Sequence, residues 1–218
     1  MRYEIEVEVN FVLESGKTRP AYHQSYEILR DKILNGDIPG GTKIIEERIA
    51  AELGVSRTPI RESIRKLEHE GLIVGKKVVK PTETDLRNMF QVRIILEGYS
   101  AQCAASYLKE KELQALQRCV EIGKTGTMDE IMSANEQFHE IIVQASHNPV
   151  MIDIIDRMQS IIYLFRRTVV FYNRPFLIEE HEEIYEAIKN RNGQQAESLM
   201  KKHLQADLDF CLHLIGNE

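Results

Sequence analysis

Past Pro81 the chain almost loses its turn signals, and apolar residues recur at helical spacing from Glu83 to Ile215. The breaks that remain are Gly123 and Gly126, His147–Asn148–Pro149, Asn173–Arg174–Pro175 and Asn192–Gly193. They divide this half into six expected helices: Glu83–Leu108, Glu110–Ile122, Met128–Ser146, Val150–Tyr172, Leu177–Asn190 and Gln194–Ile215. Long amphipathic helices joined by short connections bury their apolar stripes against one another, so residues 81–218 should form an all-helical bundle. Cys103, Cys119 and Cys211 lie far apart on apolar helical faces and are odd in number, which predicts buried, reduced thiols and no disulfide framework. No apolar run approaches the length a membrane helix needs, and no N-terminal block resembles a signal peptide. The expectation is a cytoplasmic protein with no membrane partner.

The first 80 residues are built differently. Tyr3, Ile5, Val7, Val9 and Phe11 alternate with polar residues, a strand pattern within an N-terminal extension spanning 1–19. A lone strand is not stable. The extension is therefore either an arm that adds to a sheet or a dimer partner, or a loose tail. A first helix is expected at Tyr22–Asn35, with Tyr26, Leu29, Ile33 and Leu34 on its apolar side. A second follows at Glu46–Leu53, burying Ile45, Ile49 and Leu53.

A third helix lies within Gly54–Gly71, with Ser56 as an N-cap whose hydroxyl can accept a backbone N–H. Its buried stripe is Ile60, Ile64 and Leu67, and its outer face carries Arg57, Thr58, Arg61, Arg65 and Lys66. Cations at a helix start oppose its dipole, which argues that they serve something outside the helix. Two helices joined by so short a turn form a helix-turn-helix, whose second member enters the major groove of double-stranded DNA. Leu72–Val74 and Val78–Val79 then read as a hairpin wing, with Lys76 and Lys77 at its tip suited to phosphate. Residues 56–80 carry seven Lys/Arg against three Glu, a net +4, whereas residues 81–218 carry fourteen against 21 acids, a net −7. Positive charge is thus gathered around one element, and the acidic remainder is repelled by DNA.

The segments ILRDKILNGDIPGGTKI (28–44), GVSRTPIRE (54–62) and LEHEGLI (67–73) resemble the GntR family of bacterial transcription regulators. The resemblance implies a winged helix-turn-helix DNA-binding domain over 20–80, in a mostly α chain. Arg57, Thr58 and Arg61 would contact bases or flanking phosphates beside Ser56, with Arg65, Lys76 and Lys77 on phosphate. The wing is shorter than is usual in that family.

Residues 81–214 are similar to the FCD effector domain through VRIILE (92–97), NEQFHEII (135–142), HNP (147–149), EHEEIYEAIKN (180–190) and MKKHL (200–204). From spacing alone, Asn135, His139, His181 and His203 on three neighbouring helices could hold a divalent metal, or could as well be surface groups or hydrogen-bonded core groups. The resemblance makes them ligands of a divalent metal, zinc or nickel, with Asn135 standing where the family has Asp. It also makes Arg93, with Glu97 one turn on, the holder of an effector carboxylate, so that the effector would be a small organic acid. Arg166, Arg167 and Tyr163 are lesser candidates for the same pocket. The whole would be a homodimer on a short palindromic operator, a repressor by default. Two other readings stay open: a helical domain that only dimerises the DNA reader, and a metal-dependent hydrolase. The hydrolase reading lacks a general base beside the ligands, a phosphate loop and a nucleophile motif.

Overall fold

The computed structural model describes residues 21–215, so the expected strand at 3–11 lies outside the described residues. The fold is mostly α: a winged helix-turn-helix followed by a helical bundle. In chain order the elements are α1 (Ala21–Leu34), α2 (Glu46–Leu53), α3 (Arg57–His69), β1 (Ile73–Val74) and β2 (Lys77–Val78). The bundle follows with α4 (Glu83–Tyr107), α5 (Glu110–Thr125), α6 (Met128–Gln144), α7 (Pro149–Phe171), α8 (Leu177–Lys189) and α9 (Gly193–Ile215).

The first core joins Leu29, Ile33 and Leu34 of α1 to Ile49 and Ala50 of α2, and to Ile60, Ile64 and Leu67 of α3. Leu72, Ile73 and Val78 close it from the wing. Burying one such aliphatic side chain contributes about 1.5–3 kcal/mol before entropy is counted. Two expectations fail here for local reasons. Ile45 is 45% exposed and Ile44 is buried instead. Ile45 is the extended residue before α2, where successive side chains point to opposite sides. Ser56 does occupy the N-cap of α3 with extended backbone, yet its hydroxyl makes no capping hydrogen bond.

The wing pairs Ile73 with Val78 and Val74 with Lys77, leaving Gly75 and Lys76 as a two-residue turn. Both have positive φ, 56° and 62°, as the mirror-image hairpin turn requires. Lys77 therefore belongs to β2 and not to the tip. Lys43 bridges to Lys77 antiparallel, adding a third short stretch to the sheet.

In the bundle α4 starts with a full capping box, Thr82 Oγ1 accepting from Asp85 N and Asp85 accepting from Thr82 N. Helix α9 runs along α4 and packs more extensively on it than any other pair of helices. Helix α5 does not stop at Gly123 but continues to Thr125. Gly123 instead lets α8 come close, since a Cβ there would lie 2.6 Å from Ile178 Cδ1. Helix α7 belongs to both cores. Ile155, Ile162 and Val170 face the bundle, while Tyr163 and Leu164 pack against the head. Arg30 of α1 lies 5.9 Å from the Tyr163 ring centroid, so Tyr163 serves the junction between the cores.

Candidate metal centre and DNA-reading surface

On α3 the predicted DNA residues Ser56, Arg57, Thr58, Arg61 and Arg65 are all exposed, as are Lys76 and Lys77 of the wing. Lys66 departs from this set. It is half-buried, with its ammonium 3.8 Å from the Tyr26 ring centroid. Arg57 in the first turn of α3 and Arg61 one turn on are answered by acids in the first turn of α2. Arg57 Nη2 lies 2.6 Å from Glu47 Oε1, and Arg61 donates from Nε and Nη2 to Glu46 Oε2, both at 3.1 Å. Their conflict with the α3 dipole is therefore offset inside the protein as well as by anything outside it.

In the bundle, three helices converge on one buried cluster. Asn135 and His139 are one turn apart on α6, and α8 and α9 supply His181 and His203. All four are at most 4% exposed. One donor atom from each histidine lies within 4.8 Å of the other two, and His181 Nε2 is 3.3 Å from His203 Nε2. Phe138 stacks on His181 at 4.1 Å and 13°, which fixes the tilt of that ring.

Around the histidines stands a layer of charge. His139 Nδ1 is 2.6 Å from Glu97 Oε2, and Arg93 Nε donates to Glu97 Oε1 at 2.7 Å. Burial alone would raise the Glu97 carboxyl, but the charges of Arg93 and His139 outweigh it and hold it far below the usual range. On the opposite side His203 Nδ1 is 2.9 Å from Glu180 Oε2. Burial likewise works against the Glu180 carboxylate, and hydrogen bonds from His203 and Arg174 override it, so its pKa is lowered. A carboxylate on Nδ1 fixes a histidine with its other nitrogen available as a donor to a metal, and this holds for both His139 and His203. Asn135 Oδ1 is buried with no hydrogen-bond partner. A buried carbonyl left so costs about 1–3 kcal/mol, which a cation would recover. Three imidazoles, one neutral oxygen and two supporting carboxylates fit a divalent ion.

The structure brings together His139, His181 and His203, with Glu97 against His139 and Arg93 against Glu97, and Asn135 lies one turn before His139 on α6. It also adds Arg174, Glu180 and Asp207. Arg174, in the α7–α8 turn, is 5% exposed, with Nη2 3.2 Å from His203 Nδ1. Its Nε lies 2.7 Å from Asp207 Oδ1, a charge contact too bent for a hydrogen bond. The turn places Asn173 and Phe176 at positive φ, 50° and 63°, and Arg174 Nη1 donates to the Pro175 carbonyl between them at 3.3 Å. Asp207 is legible in sequence, being four residues after His203 on one helix face. Arg174 has no such signal.

Both halves have counterparts among known proteins. Residues 21–78 match the bacterial regulatory proteins of the gntR family, and residues 88–206 match the FCD domain. The chain belongs to the GntR family. Across the whole GntR-type chain, an uncharacterised HTH-type transcriptional regulator of Bacillus subtilis, YdhC, is 30% identical over 91% of this chain and 94% of its own. The HTH-type transcriptional repressor RspR of Escherichia coli is 28% identical, covering 86% and 87%. Among solved structures, E. coli McbR/YncC superposes with a TM-score of 0.72 over 91% of this chain and all of its own, at 19% identity. That likeness concerns the fold alone. The chain is a DNA-binding transcriptional regulator and not an enzyme, and among the described residues no helix is long and apolar enough to cross a membrane.

Proposed function

We propose that this regulator is a metabolite-responsive repressor, working in the cytoplasm, whose bundle holds a divalent metal and a small carboxylate effector. Residues 20–80 form its DNA head and 81–218 its sensing half. The observation that carries the reading is the buried trio His139, His181 and His203 beside the orphaned Asn135 oxygen. When bound, the ion supplies open coordination positions that an effector carboxylate oxygen can fill. The chain's own residues do the rest. Glu97 and Glu180 orient two of the imidazoles, and Phe138 stacks the third. Arg93 uses Nε on Glu97, which leaves its Nη edge to fork onto an acid. Zinc and nickel both suit this donor set.

Metal analysis of the purified protein, followed by calorimetric titration with di- and tricarboxylates and sugar acids, tests the reading. Stoichiometric metal, lost in His139→Ala, and binding of one acid class are expected. Normal metal uptake by His139→Ala with no acid bound would refute it.

On DNA, α3 enters the major groove with Arg57, Thr58 and Arg61 at the bases. Ser56, Arg65, Lys76 and Lys77 lie alongside, toward phosphate. The operator is a short palindrome read by a homodimer. Helix α4 offers a surface for the second copy: Val92, Ile95, Tyr99 and Tyr107 are 37–59% exposed and run down its length. Ile95→Glu should turn a dimer into a monomer in light scattering, and an unchanged mass would remove α4 from the interface.

A further inference from the structure

Arg61 presents a guanidinium with two usable edges, and in this structure one of them is taken. Nε and Nη2 both donate to Glu46 Oε2 at 3.1 Å. The carboxylate comes from the first residue of α2, where the helix dipole favours it, and its side chain is 27% exposed against 51% for Arg61. Arg57 Nη2 lies 3.8 Å from the same oxygen. Arg61's hydrogen bond, with the charges of Arg61, Arg57 and Lys76 behind it, holds the Glu46 carboxyl below its usual range. Glu46 is therefore an anion placed within a cationic DNA-binding surface, where simple electrostatics would select against it.

We propose that Glu46 is a positioning residue for DNA reading: it grips Arg61 by the Nε–Nη2 edge and leaves the Nη1–Nη2 end directed outward. That end carries the two parallel donors that match O6 and N7 of guanine. A long, flexible side chain is thereby ordered before DNA arrives, and that ordering corresponds to about three- to tenfold in binding. The cost is repulsion between the carboxylate and phosphate, felt on every sequence alike. Glu46 thus exchanges general affinity for discrimination at one base pair. The inference rests on Arg61 reading a base.

The test uses the full chain and a duplex selected by it from a library with a randomised core, together with every single-base-pair variant of that duplex. Arg61→Ala should lose about ten- to hundredfold of the preference at one position. Glu46→Gln should bind unselected duplex as well as the parent or better, yet lose about three- to tenfold of the preference at that same position. Glu46→Asp keeps the charge but is one methylene short, and should lose it too. Neither change should have a further effect on specificity in an Arg61→Ala background. If Glu46→Asp behaves as the parent while Glu46→Gln binds all duplexes more tightly, Glu46 only repels phosphate and the proposal is overturned. Losses spread evenly over the operator overturn it as well. An Arg61→Ala protein that keeps full preference sinks the reading of Arg61 itself, and Glu46's role with it.

Discussion

Glu97→Gln, made alone and together with Arg93→Met, probes the charge layer that holds His139. Arg93 and Glu97 are each about 2% exposed at the side chain and meet through a single 2.7 Å hydrogen bond. Glutamine is nearly isosteric and can still accept from His139 Nδ1 through its amide oxygen. What it removes is the negative charge, leaving the Arg93 guanidinium buried without a counter-ion. Breaking a buried pair from one side costs about 3–5 kcal/mol, whereas removing both charges is often close to neutral. Against a total stability of about 5–15 kcal/mol the single change is severe. Arg93→Met alone should be comparably costly, since it leaves the buried Glu97 carboxylate without its guanidinium partner. The double variant should then be less destabilised than the sum of the singles by at least about 3 kcal/mol. Urea unfolding of metal-stripped protein measures this directly, with linear extrapolation to water. Additivity within about 0.5 kcal/mol would refute the argument, because it would mean the two charges are stabilised by water or by other groups. The same Glu97→Gln protein should bind metal about 10–100-fold more weakly, as expected when the carboxylate behind a ligating histidine is lost.

Asn135→Asp places a negative charge where the unsatisfied Oδ1 now sits and should tighten metal binding by about tenfold or more, read by competition with a chelating dye; weaker binding would remove residue 135 from the ligand set. Burial pushes the Cys119 thiol up to about 11 and the Cys211 thiol up to about 12, and Cys103 is also buried. An aromatic disulfide reagent at pH 8 should therefore find no fast-reacting thiol in the native protein and three after unfolding. Thr82's hydrogen bonds hold the Asp85 carboxyl below its usual range. A lowered folded-state pKa gives stability that is complete above the unfolded value, about 3.9, and is lost as pH falls through the folded one. The melting temperature of Asp85→Asn should thus lie below the parent's near neutrality and converge with it in strong acid. A gap that persists in strong acid would contradict this.

Periodicity makes most of the architecture readable, because most of the nine helices in the described residues carry an apolar stripe that must be buried. It failed where a residue had two physical uses. Gly123 looked like a stop, yet its missing side chain serves packing against Ile178 and the helix runs on. Ile45 looked like core, yet sits in the extended residue before α2 and faces out. The histidines are visible as candidates, but spacing cannot say that three helices converge, and only the resemblance to a known domain chooses among the alternatives. Arg174 was invisible because its role comes from a turn that brings it back over His203, and turns carry no period. Tyr163, a lesser candidate for the effector pocket, lies at the junction of the two cores. The side chains of Arg166 and Arg167 fall outside the described residues.

Helix α7 shows what a shared helix implies mechanically. Ile162 faces one core and Tyr163 the other, and adjacent residues on an α-helix stand about 100° apart around its axis. The helix is therefore an axle carrying two cams. A roll of about 10° sweeps side-chain ends, about 5 Å from the axis, through roughly 1 Å on both faces at once. Close-packed interiors do not absorb such a step by yielding smoothly. Any rearrangement in the bundle that turns α7 must reseat Tyr163 under Arg30, and with it the head that carries α3.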